Sequence, residues 1–342
     1  MAGETNFQPI QVTSENEASK TSNKLLAYID NWQLSSGHIS FIYAVIKKYS
    51  QDQAGNLAAL ITYYGFLSLF PLLIALLSIT QLAFFKSAHL KHAVTKAMLT
   101  YFPLIGHQLE NYAHVQQKAG IALAISILVI IYGARGIANM MQLAMNNIWL
   151  VPIAKRAHGA KQAFKSFGII IAAGIGFLLT GFLSTYGMLS SSNIVFRIIS
   201  FVFSIALTFF LVLSVFWLSV ANGVGYKELI RGSIIAAIGF QIIQTLGGFL
   251  IAHELSHFNT LYGSFAIVFV LLFWLYLQAR ILLYASEVDS IFHFKLWPRS
   301  ITGFRLTPAD QIALKLYAQK ENYLDRPKEK INVEIDAQKT DT

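Results

Sequence analysis

The stretch FLIAHELSHFNT at 249–260 contains side chains that could do metal chemistry. His253, Glu254 and His257 fit the H-E-x-x-H pattern, in which two imidazoles on one helix face bind zinc and the glutamate activates a water. A zinc protease of this type also needs a third ligand. The first carboxylate downstream is Glu287, which lies about 45 Å further along if the intervening residues are helical. The motif therefore lacks a nearby third ligand.

A second set of candidate residues lies within the apolar stretch AGIALAISILVIIYGARGIANMMQLAMNNIW. Its polar members are separated by four, three and four residues, which places them on one helix face. They are Arg135, Asn139, Gln142 and Asn146. A charge inside a membrane span normally faces the bundle interior or a watery cavity, so this face predicts a polar cavity that attracts an anion. The alternative is a structural role, in which the same groups form hydrogen bonds between helices.

Three residues elsewhere complete the candidate set. Gln241 lies on a mildly polar stripe of another apolar block and could line the same cavity or form a buried hydrogen bond. Glu287 lies near the end of the last apolar block. Pro71 removes a backbone donor within the first block and predicts a helix kink. No residue is assigned a catalytic, cofactor-binding or metal-binding role, and the absence of cysteine excludes a disulfide or a thiolate nucleophile.

Composition indicates which elements must carry these residues. Of the 342 residues 55% are hydrophobic and 13% are charged, whereas about 25% charged residues is usual in soluble proteins. Six apolar blocks exceed the roughly 20 residues that a helix needs to cross a bilayer. They lie at 56–85, 119–148, 163–187, 196–221, 230–252 and 261–288. We therefore predict an all-α polytopic membrane bundle with six transmembrane helices.

The distribution of Lys and Arg predicts the orientation, because these residues are retained on the cytoplasmic side. Nineteen of the 26 fall in the N-terminal arm, in the loops after the second and fourth blocks, and in the C-terminal tail. Both termini are therefore predicted to be cytosolic. The net charge of +9 then reflects topology and attraction to anionic lipid of the inner leaflet, rather than nucleic-acid binding.

Four segments follow from this pattern. Residues 1–35 are polar and unlike a cleavable signal peptide, so they predict a disordered cytosolic arm. Residues 36–52 predict an amphipathic helix in the interface plane, 53–290 the six-helix membrane domain, and 291–342 a cytosolic tail. Within the tail, Thr307 as a cap followed by Pro308 predicts a short helix, with a disordered end beyond it.

The predicted interfacial helix has two faces. Large apolar side chains recur at helical spacing on one face, and two lysines lie opposite. The apolar residues are Ile39, Ile42, Ile46 and Tyr49, and the lysines are Lys47 and Lys48.

With this topology, the H-E-x-x-H stretch lies at the outer end of the fifth span. The first interpretation is purely structural: the stretch is a polar helix end that is solvated at the outer surface. A second interpretation is adventitious metal binding or proton sensing, since the outer loop supplies His89, His92, His107 and His114. Proteolysis is the third interpretation and the least supported, because no third ligand is near.

The chain resembles the YihY/BrkB family of bacterial inner-membrane proteins, once labelled ribonuclease BN. The resemblance covers about residues 35 to 325 and lies in AGNLAALITYYGFLSLFPLLIAL, RGIANMMQLAMNNIW, ANGVGYKELIRGSIIAAI and LYGSFAIVFVLLFWLYLQARILLYASEVD. Family positions are matched at Ser68 to Pro71, Arg135, Asn146, Trp149, Tyr262 to Ser264, Trp274, Tyr276 and Glu287. Ala221 and Ala285-Ser286 depart from the family's usual Pro and Gly-Ala. The resemblance implies a largely uncharacterised membrane family, with suggested roles in serum resistance and lipid movement.

The functional prediction is a transporter or a translocator of lipid or anionic solute in the bacterial cytoplasmic membrane. The alternative is a membrane scaffold or envelope-integrity factor that transports nothing. Enzymatic activity is not expected, because no clustered H-x-H-x-D-H metal set for RNA cleavage is present. A Walker motif is absent too, so this chain is not expected to use ATP directly. The predicted partners are membrane lipids and an anionic substrate, with no nucleic acid and no cofactor, and the oligomeric state is left open.

Overall fold

The computed structural model describes residues 28–81, 119–189, 194–221, 223–258, 263–302 and 306–321. Within these ranges all regular structure is helical and no strand occurs, which confirms the all-α prediction. Two short 3₁₀ turns, Ile153–Lys155 and Tyr226–Leu229, precede longer helices. The helices are α1 (28–35), α2 (Gly37–Gln51), α3 (Ala54–Gln81), α4 (Ala119–Ile148), α5 (Ala160–Leu189), α6 (Ile194–Ser219), α7 (Ile230–Phe258), α8 (Gly263–Phe294) and α9 (Pro308–Lys320).

Each of the six predicted apolar blocks coincides with one long helix, from α3 to α8. Among the described residues, three segments are long and apolar enough to cross a membrane. They are Ala124–Ile148 in α4, Ile198–Ser219 in α6 and Val268–Phe294 in α8. The count of six spans and the cytosolic position of both termini stay predictions.

Close packing of α3 against α4 depends on two glycines. A Cβ on Gly133 would lie 2.7 Å from the Cβ of Ser68 and 3.2 Å from the carbonyl oxygen of Tyr64. A Cβ on Gly136 would overlap the ring of Tyr64, with 2.6 Å to its Cε1. Since real Cβ atoms essentially never lie within 3.0 Å of another atom, glycine at these two positions is what lets the two backbones approach.

Gly136→Ala should therefore destabilise the bundle, although alanine favours a helix more than glycine does. Overpacking of a tight contact costs about 1–3 kcal/mol, which should appear as a lower melting temperature of the purified protein. Gly174→Ala is the matched control, because a Cβ on Gly174 in α5 would meet nothing within 4 Å. Equal melting temperatures for the two variants would contradict the packing argument.

A second, smaller core joins α2 and α9 to the C-terminal end of α8. Its buried members come from all three helices and the adjoining chain: Ala44, Val45, Leu150, Ile291, Leu296 and Ala313. The rings of Phe41, Phe292 and Trp297 contact one another beside it. This core fixes α2 and α9 against the end of the longest apolar segment.

The predicted interfacial helix at 36–52 corresponds to α2, and its apolar face is open. Ile39, Ile42 and Ile46 are exposed, Ile42 by 58%. Tyr49, which the pattern assigned to the same face, is instead buried and stacks on Tyr284 with ring centroids 3.8 Å apart. On the opposite face, Lys48 is completely buried.

The predicted disordered arm at 1–35 is wrong for its last residues, because 28–35 form helix α1. Asp30 gives this helix a tertiary anchor: its carboxylate accepts hydrogen bonds from the Ser300 hydroxyl and the Ile301 amide, both at 2.7 Å. Residues 1–27 lie outside the described part of the chain.

Three further predictions concern positions that the structure describes only in part. Pro71 lies inside α3, which continues to Gln81, and the kink stays a prediction. The backbone of the H-E-x-x-H stretch belongs to the last turns of α7, but its side chains lie outside the described part. The outer-loop histidines between 82 and 118 lie outside it entirely.

Candidate functional site

Arg135 lies near the middle of the apolar segment Ala124–Ile148 and is exposed. Its neighbours Ile131 and Tyr132 are exposed as well, Tyr132 by 62%. Across the described ranges, no hydrogen bond or ion pair engages the Arg135 guanidinium. This part of α4 therefore presents one fixed positive charge on an otherwise apolar surface.

One turn further along, Asn139 and Gln142 form hydrogen bonds with α5. The Ser166 hydroxyl donates to Asn139 Oδ1 at 2.9 Å and accepts from Gln142 Nε2 at 2.8 Å. Gln142 Nε2 also lies 3.3 Å from the carbonyl oxygen of Gln162. Because each amide has a partner on the neighbouring helix, this part of the polar face holds α4 to α5.

Asn146 makes a third contact of this kind. Its Oδ1 accepts the backbone N–H of Ala221 at 2.9 Å, just beyond the C-terminal end of α6. Three amides of the predicted face are thus engaged in helix packing. Arg135 is the member of that face directed to the exposed surface.

The other two candidates lie away from this face. Gln241 is partly buried on α7, which packs chiefly against α6 and α8. Glu287 is completely buried in α8, among charged side chains near the C-terminal end of α4. Gln241 and Glu287 therefore lie apart from the Arg135 face, and the cavity itself stays a prediction.

Glu287 belongs to what we call the buried charge cluster: Lys48, Asp52, Glu287 and Lys320. Lys48 Nζ donates to Asp52 Oδ2 at 2.6 Å and to Glu287 Oε2 at 2.8 Å. It also donates to the carbonyl oxygen of Ile148, the last residue of α4, at 2.7 Å. Lys320 Nζ, at the end of α9, approaches Asp52 Oδ1 at 3.1 Å. Two ammonium groups thus face two carboxylates.

The cluster keeps Lys48 charged despite full burial. Burial by itself disfavours the ammonium form, but the charges of Asp52 and Glu287 and their hydrogen bonds outweigh it and raise the pKa of Lys48. All three Lys48 N–H donors have partners, as a buried ammonium requires. The cluster connects α2, α4, α8 and α9 at one end of the bundle.

Sequence reasoning placed Lys48 opposite the apolar face of an interfacial helix and gave Lys320 no role. The available signal was the spacing of Lys48 and Asp52, four residues apart, which permits an ion pair on one helix face. It gave no indication of Glu287, 239 residues away in sequence.

A second charged group holds the start of α9. The side chain of Asp310 accepts hydrogen bonds from Arg299 Nε and from the Ser300 amide, both at 2.9 Å, and lies 3.4 Å from Lys47 Nζ. Burial would raise the pKa of Asp310, but these donors and the Thr307 cap outweigh it and lower the pKa. We call Lys47, Arg299 and Asp310 the tail-helix anchor.

The described residues contain no group of three His, Asp or Glu side chains arranged to hold a metal ion.

A family model described as virulence factor BrkB matches residues 45–297. The chain belongs to the BrkB family. The match includes Lys48, Arg135 and Glu287, whereas α9 with Lys320 lies beyond it.

Individual relatives of this BrkB-family chain are distant. It is 23% identical over 280 residues to a UPF0761 membrane protein of Psychrobacter sp. (strain PRwf-1), covering 79% of this chain and 50% of that protein. It is 22% identical over 269 residues to the putative ribonuclease-like protein YfkH of Bacillus subtilis (strain 168), covering 75% and 96%. A UPF0761 membrane protein of Pseudomonas aeruginosa (strain LESB58) is 22% identical, covering 76% and 65%.

The chain thus spans about half the length of the Psychrobacter relative and 65% of the Pseudomonas one. No solved structure matches it. The relatives' names and the long apolar helices together make this BrkB-family chain a membrane protein.

Proposed function

We propose that this BrkB-family protein moves an anionic lipid headgroup, or another anionic solute, across the bacterial cytoplasmic membrane. The observation that supports the proposal most is Arg135, an exposed cation near the middle of an apolar segment, without a counter-charge among the described residues. Ionisable residues within membrane segments commonly mark substrate or ion pathways, which makes Arg135 a candidate for one.

The physical reason is the cost of an isolated charge in hydrocarbon. A guanidinium there is stabilised by water, by a bound anion, or by reaching the interface. An arginine also forms two parallel hydrogen bonds with a phosphate or carboxylate, so an anionic headgroup fits both its charge and its shape. The paired amides of α4 keep the helix that carries Arg135 in place.

The remaining predictions fit this proposal. Both termini and the basic loops face the cytosol and the anionic inner leaflet. No nucleic acid, cofactor or catalytic step is part of the mechanism. The ribonuclease-like name belongs to the Bacillus subtilis relative and is not carried over to this chain.

Arg135→Gln should slow the movement of a headgroup-labelled anionic phospholipid between the leaflets of reconstituted liposomes. Losing a charge-assisted hydrogen bond costs about 1.5–3 kcal/mol, which corresponds to a rate lower by roughly ten- to hundredfold. The matched control is Lys161→Gln, which removes one positive charge from an exposed position of α5. It should translocate like the wild type.

A wild-type protein that moves the labelled lipid no faster than empty vesicles would contradict the proposal. A scaffold function would then be favoured, and one observation already supports it as second candidate. Asn139, Gln142 and Asn146 are all engaged in contacts that hold helices together. The Arg135→Gln variant should keep the wild-type melting temperature whether the protein is a scaffold or a translocator. The lipid assay therefore distinguishes the two functions.

A further inference from the structure

Arg280 of α8 is surrounded by three tyrosine rings. Its Cζ lies 5.8 Å from the ring centroid of Tyr49, 5.6 Å from that of Tyr276 and 5.5 Å from that of Tyr284. All three distances are within the range of a cation–π contact. One N–H of the guanidinium donates to the Tyr284 hydroxyl at 3.1 Å.

This arginine has no acidic partner within the described ranges. The guanidinium carries five N–H donors. The single hydrogen bond to Tyr284 leaves most of these donors available. Arg280 is also partly exposed, so a ligand can reach it.

Tyr49 adds a second, independent observation. Its side chain is 7% exposed, and its buried hydroxyl has no hydrogen-bond partner. Burial raises the pKa of Tyr49 to about 12, against the opposing effect of Arg280, so the phenol is neutral and can donate at physiological pH. A buried donor without a partner costs about 1–3 kcal/mol, which a bound acceptor would recover.

The start of α3 lies beside these hydroxyls. A Cβ built on Gly55, the second residue of α3, would be 3.9 Å from the Tyr49 hydroxyl and 4.0 Å from that of Tyr276. The N-terminus of a 28-residue helix carries a partial positive charge. A guanidinium, phenol donors and a helix N-terminus therefore converge.

We propose that Arg280, Tyr49 and the N-terminal end of α3 form a binding site for a phosphate-bearing anion. The positive charge and donors match a phosphate, and the aromatic walls of Tyr276 and Tyr284 suit the apolar stem of an esterified one. The ligand is a phospholipid headgroup or a soluble phosphate, and these share the chemistry that the site recognises. The site is separate from Arg135 and does not depend on translocation.

The test measures ligand binding to the purified full-length chain in a zwitterionic detergent. Native mass spectrometry counts bound phosphatidylglycerol, with phosphatidylcholine as the zwitterionic comparison, and inorganic phosphate is added as a competitor. Arg280→Gln should weaken phosphatidylglycerol binding about tenfold or more, since a charge-assisted hydrogen bond is lost. Tyr49→Phe keeps the ring and removes only the hydroxyl, and it should weaken binding less.

Arg231→Gln is the matched control. Arg231 also lies over an aromatic ring, with its Cζ 4.9 Å from the centroid of Phe292, but that ring has no hydroxyl. This variant should bind phosphatidylglycerol like the wild type. Arg135→Gln should do so too, which separates failure of this site from failure of the proposed translocation.

The competitor distinguishes the two sources of phosphate. Displacement of phosphatidylglycerol by millimolar inorganic phosphate supports a soluble ligand, and resistance to it supports a lipid headgroup. If Arg280→Gln lowers the melting temperature, its weaker binding no longer tests the site by itself. Phosphatidylglycerol binding by Tyr49→Phe is then the test. Two results would overturn the proposal. One is that the wild type binds phosphatidylglycerol no more tightly than phosphatidylcholine. The other is that Tyr49→Phe and Arg280→Gln both bind phosphatidylglycerol as tightly as the wild type.

Discussion

Lys48→Met should leave little folded protein, because it removes one of the two cations that balance two buried carboxylates. Glu287 would then be a buried charge with no partner, while Asp52 would keep only Lys320. Breaking one partner of a buried ion pair typically costs about 3–5 kcal/mol, a large part of the stability of an ordinary domain. Thermal unfolding of the detergent-solubilised chain, followed by tryptophan fluorescence, should show a strongly lowered midpoint.

A second substitution tests whether charge balance is the cause. Lys48→Met combined with Glu287→Gln restores neutrality, since the remaining Asp52 and Lys320 pair with each other. The double variant should recover a large part of the lost stability, which gives a strong coupling in a double-mutant cycle. Additive losses would show instead that Lys48 acts through packing alone.

The helices of this protein were predictable because hydrophobic runs of bilayer length leave few alternatives. A segment such as 119–148 exceeds the roughly 20 residues needed to span, and a membrane permits only helices or closed barrels there. The structure places α4 over the same residues, Ala119–Ile148. The information is local, so a single sequence contains it.

The partners of the polar residues were not predictable in the same way. Helical spacing placed Arg135, Asn139 and Gln142 on one face, but it could not say what that face meets. Ser166 of α5 takes up both amides, and the Arg135 end stays open. Which end of a polar face is covered depends on the position of a neighbouring helix, and spacing does not encode that.

Lys48 illustrates the same limit more strongly. A lysine is almost never fully buried unless it is paired, and the sequence around Lys48 indicates no more than one nearby carboxylate. Burial became tolerable only because Glu287 and the end of α4 meet the same ammonium. Charges from distant parts of the chain decided the environment of this residue.

The two charged groups together suggest how the tail helix is held. Lys320, at the end of α9, reaches the buried charge cluster, and Asp310, at its start, forms the tail-helix anchor. Both ends of α9 are therefore held by charged contacts, to the C-terminal end of α2 and to the segment that follows α8. Loss of either contact should free one end of the helix before it unfolds the bundle.

Asp310→Asn should detach the start of α9. The variant removes the negative charge and one of the two oxygens that accept from Arg299 and Ser300, and it leaves the buried Arg299 without a carboxylate, at a cost on the order of 3 kcal/mol. Hydrogen exchange of α9 amides should speed up markedly, while amides of α4 should keep wild-type protection. Glu321→Gln, an exposed acid just past the same helix, is the control and should leave α9 protected.

The pH dependence of α9 provides an independent arm of the same test. Because the pKa of Asp310 is lowered in the folded chain, its stabilisation is complete above its unfolded pKa of about 3.9. That stabilisation is lost as pH falls through the lower folded pKa. Wild-type α9 protection attributable to Asp310 should therefore stay constant above roughly pH 5 and fall only in acid. Asp310→Asn should lack this acid-dependent step, and an identical acid profile in the variant would show that another group anchors the helix.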